Sequence, residues 1–360
     1  MDISSQKSFN HLCGFQQSEI KALAEQAIEQ EWLPGYSIEA LLQLLRTFYN
    51  GYCFSTKTTE TVYNPTMSLF FFNTIQKGDG LPDNMLDNNL AMDRGKIAYI
   101  AQLPGGQSII EAAVQHQPLS IVHLMQSFGI EDVLYTQKDD TFILCLLYFF
   151  GVLTLEGKDP FGELKLAIPN LVINKLYIQQ FRESYLKGLD WNRDVSPAIE
   201  HFYNKGDLQP LCDLVQKRGF SALDNRDYRQ LNELTIKTAF LLFLFDDKWY
   251  QVDSERRVGR GYADLTLILR PDARQYPIFD FLLEFKYLSL KQLGLTAKTL
   301  KAMSEKRCRN LKLVKKAFNE AKEQLTQYSQ ELQAKYANDL KLHNYAIVAI
   351  GLERLLWLEV

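Results

Sequence analysis

One short apolar segment, Phe281–Tyr287, carries two charged residues and limits most strongly how the chain can fold. Its sequence, FLLEFKY, places Glu284 and Lys286 among large apolar neighbours. A short apolar run with aromatic residues is typical of a buried β-strand, and residues two apart on a strand point to the same face of the sheet. Because burying an ionised group costs several kcal/mol, both charges are expected to be paired or to bind a metal ion.

The segments around this strand predict a mixed α/β arrangement for the second half of the chain. Strand-like apolar runs alternate there with helical patterns, and a glycine-rich turn, Gly259–Gly261, separates two of the runs. The predicted elements are a helix over 228–245, strands over 249–255, 263–269 and 278–287, a long basic helix over about 299–335 and a last strand over 345–351. We therefore expect an αβββαβ core.

The first half of the chain is predicted to be mostly helical, with two short strands between residues 151 and 168. Apolar residues recur at helical spacing over 18–30 and 37–49, and a further helix is predicted over 119–128. Polar aromatic turns such as Tyr49–Tyr52 are interpreted as structural corners rather than as surfaces that stack on bases.

A polar, mixed stretch between residues 187 and 229 separates the two halves. We place the domain boundary inside this stretch. The prediction is an all-α domain at residues 1–215 followed by an α/β domain at residues 216–360.

Composition excludes several classes of protein. The formal net charge of −3 excludes a uniformly basic nucleic-acid coat protein. Five widely spaced cysteines without a Cys-x-x-Cys pair exclude a zinc ribbon and indicate the reduced thiols of a cytoplasmic protein. No secretory signal is visible, although secretion without a cleaved signal stays open. The most apolar stretches, Phe142–Leu155 and Leu234–Phe245, are shorter than the ~20 residues of a membrane helix, so no membrane association is expected.

Further carboxylates lie in the elements beside the Glu284 strand. Asp264 leads the strand after the glycine-rich turn, and Glu233 lies in the helix before the first strand. Carboxylate oxygens suit Mg²⁺ or Mn²⁺, and a neighbouring lysine can orient water and stabilise negative charge. A single Glu-x-Lys on a strand is usually a solvated or cross-strand ion pair, but the conjunction of these groups indicates metal-assisted phosphodiester hydrolysis.

These residues make the second half resemble the PD-(D/E)XK nuclease domain appended to bacterial AAA-ATPase-like proteins. The matching stretches are Asn232-Glu233, Ser254-Glu255 with Gly259–Asp264, Leu283–Lys286, and Ala321–Leu325 with Tyr328. The residues that the resemblance implies for the active centre are Glu233, Asp264, Glu284 and Lys286, with Gln324 as an accessory polar residue. Ala263 stands where the name of the motif expects proline, at a position that is loose in the superfamily.

The first half resembles the region that follows the ATPase core in the same family. The matching stretches are Phe48–Tyr52, Val62–Pro65, Leu147–Thr154 and Ile168–Asn170. The phosphate-binding loop G-x-x-x-x-G-K-[ST] does not occur in this sequence. Because that loop and its lysine bind the nucleotide phosphates, no ATPase activity is expected.

A basic segment follows the Glu284 strand. Between Lys286 and Lys322, nine lysines and two arginines stand against two glutamates. A solvated helix face would account for such a run, but its sidedness favours a surface that follows nucleic-acid phosphates. The residues expected to contact nucleic acid are Arg256, Arg257 and Arg260 before Asp264, and Lys312, Lys315 and Lys316 in the basic helix.

We therefore predict a nuclease that depends on Mg²⁺ or Mn²⁺ and acts on nucleic acid, DNA rather than RNA. Asp264 and Glu284 would hold the metal, Glu233 would buttress the site and Lys286 would position the attacking water. The alternative is a catalytically silent protein of the same fold that binds nucleic acid or a protein partner, with a role as a secreted effector left open.

Overall fold

The computed structural model describes residues 6–360 apart from 79, 87–91, 126–130, 132–135, 221–230, 259–260 and 337–339, and of residues 92–94, 255–258, 261–262 and 335 it describes the backbone alone. The chain divides into two compact units, Met1–Phe181 and Arg182–Val360. The second unit thus begins earlier than the α/β domain expected from residue 216. The domain limits 1–215 and 216–360 stay a prediction, because a compact unit and an evolutionary domain need not share their ends.

Helices predominate in the first part of the chain. The helices up to residue 185 are α1 (Gln17–Glu29), α2 (Ile38–Tyr49), α3 (Pro65–Gln76), α4 (Met92–Gln102), α5 (Gly106–Val114), α6 (Asp140–Phe149) and α7 (Leu171–Tyr185). Side chains cap the start of several of them, because Ser37, Asn64, Asp139 and Asn170 each accept a hydrogen bond from an amide of the first turn.

A small antiparallel sheet completes the first unit. Its strands, β1 (Leu119–Ile121), β2 (Thr154–Lys158) and β3 (Leu164–Ala167), lie in the order β1-β3-β2. The helix expected over 119–128 is wrong at its start, since β1 pairs with β3 and alternates buried, exposed and buried residues. Three residues are too few for periodicity to distinguish a strand from a helix. Residues 126–130 of that expected helix lie outside the described residues.

The aromatic turns of the first unit are structural corners, as expected. Tyr49, Tyr52 and Tyr63 are buried, so their rings are not available to stack on a base. Gly51 has a φ of +111°, and a Cβ atom at this position would lie 1.8 Å from the carbonyl oxygen of Pro169. Only glycine fits such a close backbone approach.

A five-stranded mixed sheet forms the centre of the second unit, which confirms the mixed α/β class. The strand order is β4-β5-β6-β7-β8; β6 and β7 run parallel, and the other neighbours run antiparallel. The strands are β4 (Tyr250–Val258), β5 (Gly261–Leu269), β6 (Asp280–Leu288), β7 (Leu342–Ile350) and β8 (Arg354–Glu359). The last of these was not among the predicted strands.

Two helices cover opposite faces of this sheet. Phe240 of α10 (Glu233–Leu244) packs on Phe285 with ring centroids 5.1 Å apart. On the other side, the long helix α14 (Lys312–Tyr336) shares a buried cluster with Leu282. Because Leu282 and Phe285 are three residues apart on β6, they point to opposite faces.

Two shorter helices and two π-helical turns precede α10 in the described part of the second unit. These elements are the π-helical turn Trp191–Val195, α8 (Ser196–Lys205), α9 (Gln209–Leu214) and the π-helical turn Val215–Gly219. Phe202 of α8 stacks on Phe281 of β6 with ring centroids 4.1 Å apart. This aromatic packing explains why the compact unit begins well before residue 216.

The basic segment does not form the single helix expected over about 299–335. Three short helices, α11 (Leu290–Leu293), α12 (Ala297–Ala302) and α13 (Glu305–Arg309), precede α14. The Ser304 hydroxyl accepts a hydrogen bond from the Arg307 amide and so starts a new helix. Arg354 donates to the carbonyl of Met303 and stabilises the break. The cations of this segment therefore come from several helices.

A buried ion pair fixes the start of β6. Asp280 is fully buried, and Arg274 donates two hydrogen bonds to its carboxylate. The same carboxylate accepts hydrogen bonds from the amides of Leu269 and Lys341, at 2.8 and 2.9 Å. Asp280 therefore joins the end of β5, the start of β6 and the residue before β7, and both of its oxygens are paired.

Within the described part of the chain, no helix combines the length and the apolar character that crossing a membrane requires.

Candidate active site

Strand pairing brings two of the predicted catalytic carboxylates onto neighbouring strands. In the β5–β6 pair, Leu265 lies opposite Leu283, so Asp264 and Glu284 each stand one residue beyond this pair on neighbouring strands. The two carboxylates are close enough for the negative charge of Asp264 to raise the pKa of Glu284. The Asp264 carboxylate also accepts a hydrogen bond from the Phe285 amide at 2.8 Å, which holds it against β6.

Glu284 is a buried carboxylate with one unsatisfied oxygen. Its side chain is 2% exposed, and Oε1 accepts a hydrogen bond from Lys286 Nζ at 3.0 Å. Oε2 has no hydrogen-bond partner among the described residues. Burial, followed by the negative charge of Asp264, raises the pKa of Glu284 to about 7 even though Lys286 opposes this rise. A carboxylate in so unfavourable a position is typical of a functional group rather than of a structural one.

Asp280 is a second buried carboxylate on the same strand as Glu284, and its role is structural. Asp280 was not among the carboxylates predicted to be buried, although it stands at the start of the same apolar segment as Glu284. Arg274 and two backbone amides satisfy both oxygens of Asp280. Glu284 differs from Asp280 in one respect: its buried Oε2 has no hydrogen-bond donor among the described residues.

The donor set suits a hard divalent cation. An unsatisfied oxygen on Glu284 and the nearby carboxylate of Asp264 are oxygen ligands of the type that Mg²⁺ and Mn²⁺ prefer. Among the described residues, no group of three or more His, Cys, Asp or Glu side chains is arranged to hold a metal. Mg²⁺ commonly binds through one or two carboxylates and keeps several waters, so two protein ligands are compatible with it.

Lys286 connects β6 to the start of helix α10. Its Nζ atom lies 3.0 Å from Glu284 Oε1 and 4.0 Å from Glu233 Oε2. Burial alone would lower the pKa of Lys286, but the attraction of Glu284, and then of Glu233, outweighs burial and raises the pKa above its ordinary value. The ammonium group is therefore charged at neutral pH.

Glu233 is positioned by the first turn of α10. Asn232 precedes the helix, and its side-chain oxygen accepts a hydrogen bond from the Thr235 amide at 3.1 Å. The Thr235 hydroxyl in turn accepts a hydrogen bond from the Asn232 amide at 3.4 Å. This reciprocal cap fixes the residue at which the helix begins and hence the place of Glu233.

Replacing Asn232 by alanine is expected to lower the free energy of unfolding by about 1 kcal/mol, because the amides of the first turn lose their acceptor. Urea denaturation of the full chain measures this change. Asn232→Asp is the control: it keeps the acceptor and places a negative charge at a helix N-terminus, so its stability should stay close to that of the wild type. Equal stability of the alanine variant and the wild type would contradict a capping role.

Gln324 lies in the middle of α14 and is half-buried. Among the described residues, it forms no hydrogen bond with Glu233, Asp264, Glu284 or Lys286. The structure therefore does not join it to the other four, and its accessory role stays a prediction.

The lysines expected to contact nucleic acid lie exposed at the start of α14. Lys316 forms an ion pair with Glu320 at 3.5 Å. Lys312 and Lys315 have no ion pair with any residue that the structure describes, which leaves their charges available to a ligand. A role for all three in binding stays a prediction.

For the three arginines predicted to contact nucleic acid, the structure describes no side chain. Arg256 and Arg257 are residues of β4, but their side chains lie outside the described part of the chain, and Arg260 lies outside the described residues altogether. Their contacts with nucleic acid stay a prediction.

Comparison with known families identifies a PD-(D/E)XK nuclease domain in the second unit. Residues 231–357 match a family model described as PD-(D/E)XK nuclease superfamily. The match includes all five predicted catalytic residues and does not extend to residues 1–230. Members of this superfamily generally hydrolyse phosphodiester bonds and typically use Mg²⁺ or Mn²⁺. No curated protein and no solved structure matched the chain.

Proposed function

We propose that the second unit is a divalent-metal-dependent nuclease built on an αβββαβ core, to which β8 is added. The observation that carries this proposal is the state of Glu284. It is buried beside Asp264 and Lys286, its pKa is raised to about 7, and one of its oxygens has no partner among the described residues. A structural carboxylate would be satisfied as Asp280 is, so Glu284 is best explained as a group that binds a ligand.

Each charged residue of the site has its own proposed role in hydrolysis. Asp264 and Glu284 would hold Mg²⁺ or Mn²⁺, and such a cation neutralises phosphate charge and makes a bound water more acidic. The ammonium of Lys286 can orient a water and stabilise the negative charge that develops on the phosphate. Glu233, 4.0 Å from that ammonium, helps to keep it charged and in place.

Nucleic acid is the proposed substrate, because exposed lysines that can contact phosphates follow the active-site strand in the chain. Between the two nucleic acids we propose DNA rather than RNA, and the cleavage assay below compares both. The resemblance of residues 1–215 to the region after the ATPase core of AAA-ATPase-like proteins supports a role of this N-terminal region in shaping or restricting the access of the substrate. A protein partner for this region is also compatible with that resemblance.

The test of this proposal is cleavage by the purified full chain of labelled single-stranded and duplex DNA and RNA, with Mg²⁺, Mn²⁺ or EDTA. We expect cleavage that requires the cation. Calorimetric titration with Mn²⁺ should detect a site that Asp264→Asn weakens. If none of the substrates is cut while nucleic acid still binds, the catalytically silent alternative replaces the nuclease.

Reversing the charges of Lys312, Lys315 and Lys316 to glutamate is expected to weaken nucleic-acid binding and flatten its salt dependence. Each phosphate contact that is lost reduces the slope of log K against log salt by about 0.9 for duplex DNA and about 0.7 for single strands. Gel-shift titrations at several salt concentrations measure both effects.

The matched control for this variant makes the same charge change at a distance from the start of α14. It carries three exposed lysines of the second unit changed to glutamate, namely Lys205, Lys248 and Lys341. If the two triple variants bind equally well, the lysines of α14 form only a solvated face.

A further inference from the structure

A cavity of about 610 Å³ opens in the second unit at the carboxyl ends of the parallel strands β6 and β7. Ligands of open α/β sheets commonly bind in the crevice at this end of parallel strands, and the volume lies in the range of small-molecule sites. Its wall includes Gln216, Lys217, Phe220, Leu231, Tyr287 and Leu290.

The cavity adjoins the candidate active site along the chain. Tyr287 directly follows Lys286, and Leu231 stands two residues before Glu233. The side chains of Lys286 and Tyr287 point to opposite faces of the strand, so the link to the cavity wall is Glu233, whose Oε2 lies 4.0 Å from Lys286 Nζ. Because Leu231 stands two residues before Glu233, a nucleotide strand whose phosphate reaches Lys286 can bring an adjacent nucleotide to this cavity.

The charges on the described residues of the cavity wall balance each other. Lys217 and Lys301 contribute two positive charges, and Asp213 and Glu353 contribute two negative ones. Lys301 and Glu353 form an ion pair at 2.9 Å. A site for a phosphate group would show an excess of positive charge, so the part of the lining that the structure describes favours an uncharged ligand with polar edges.

Two side chains supply what a flat heteroaromatic ring needs. Tyr287 is half-buried, and its ring and hydroxyl make no aromatic contact or hydrogen bond with the described residues. The side-chain oxygen of Gln216 accepts a hydrogen bond from the Leu355 amide, which fixes the side chain. The amide NH₂ of Gln216 has no partner in the described part of the chain, so it can donate to the edge of a base.

We propose that this cavity binds an unpaired nucleobase of the substrate strand, next to the phosphate that is cut. This inference rests on the proposed nuclease function and specifies its substrate. A base inside a duplex cannot enter a cavity of this kind without leaving its stack. The substrate is therefore a single strand, or a strand that is unpaired at this position.

The decisive measurement compares single-stranded and duplex DNA of the same sequence, about 12 nucleotides long, by fluorescence anisotropy in EDTA so that no cleavage occurs. Tyr287→Leu in the full chain is expected to weaken single-strand binding by about tenfold or more, because base stacking on an aromatic ring is lost. Duplex binding should stay within about twofold, since paired bases do not use the cavity. Equal losses for both substrates, or no loss for the single strand, would overturn the proposal.

Two matched variants separate recognition of the base from a general loss of structure. Gln216→Glu keeps an acceptor for the Leu355 amide but removes the NH₂ donor, so it should weaken single-strand binding. Tyr276 is 44% exposed and lies before the opposite end of β6, so Tyr276→Leu should bind as the wild type does. If Tyr276→Leu loses as much affinity as Tyr287→Leu, the effect is not specific to the cavity.

A photo-crosslink locates the base directly. A single strand that contains 5-iodouracil should form a crosslink with Tyr287 that mass spectrometry of the digested protein detects. Crosslinks confined to the lysines of α11–α14 would overturn the assignment.

Failures of the two proposals can be told apart. If the wild type cuts DNA but Tyr287→Leu binds single strands normally, the base site is wrong and the nuclease stands. If no substrate is cut but Tyr287→Leu loses single-strand binding, the nuclease is wrong and the base site stands.

Discussion

Replacing Lys286 by alanine is expected to reduce phosphodiester cleavage by about 10²–10³-fold, the usual scale for removing one group that stabilises transition-state charge. Its ammonium lies 3.0 Å from Glu284 Oε1 and is held charged by the carboxylates around it. Single-turnover cleavage of labelled DNA measures the loss. Nucleic-acid binding should survive, because the proposed phosphate contacts come from other lysines.

The control is Lys205→Ala, which removes an exposed lysine at the end of α8. It should cut DNA at the wild-type rate. Circular dichroism of both variants checks that they are folded. If the Lys286 variant is folded and cuts DNA as fast as the wild type, Lys286 has no part in the chemistry.

Replacing Glu284 by glutamine is expected to reduce cleavage on the order of 10³-fold, because the site loses one of its two metal-binding carboxylates and a bound cation is worth several kcal/mol of charge stabilisation. Manganese affinity, measured by calorimetry, should fall with it. For the wild type, kcat/KM should decline below pH 7, since the pKa of Glu284 is raised to about 7 and a protonated carboxyl binds metal poorly.

The same substitution is expected to stabilise the fold at high pH. The pKa of Glu284 is about 7 in the folded protein against an ordinary 4.5, so between these values the folded state holds a proton that the unfolded state has released. The contribution of Glu284 to the free energy of unfolding therefore falls as pH rises through this window, by up to about 3 kcal/mol. Glutamine stays neutral, so its advantage in urea denaturation should appear at pH 8 and vanish near pH 4.5.

Asp280→Asn is the matched control on the same strand. Its carboxylate is paired with Arg274 and with two backbone amides, so losing its charge should destabilise the protein at pH 8. If Glu284→Gln raises the free energy of unfolding at pH 8 and Asp280→Asn lowers it, the two results distinguish a functional carboxylate from a structural one. If Glu284→Gln also destabilises the protein at pH 8, the unsatisfied oxygen is not a source of strain.

Local patterns in the sequence were sufficient to place the strands of the candidate site. Charged residues inside the apolar β5 and β6 segments fixed which positions to consider, and the period of two on β6 fixed the shared face of Glu284 and Lys286. The unsatisfied oxygen of Glu284 could not be predicted, because it depends on how helices from distant parts of the chain cover the sheet.

The breaks in the basic segment could not be read from its composition. Lysine, alanine and leucine favour a continuous helix there, whereas the end of α12 depends on Arg354, a residue of β8 that binds the carbonyl of Met303. Contacts between residues so far apart in the chain leave no periodicity. The same holds for Phe202, whose stacking on Phe281 extends the second unit toward the N-terminus.

The buried carboxylate of Asp280 also protects the site against misalignment of the sheet. It accepts hydrogen bonds from Leu269 at the end of β5 and from Lys341 just before β7, so it fixes the register of β6 against both neighbours. A slip of one residue would turn every side chain of β6 to the opposite face. Glu284 and Lys286 would then take the side of the sheet on which Phe285 now packs against Phe240. The accuracy of strand alignment during folding therefore decides whether the chain acquires its charged centre at all.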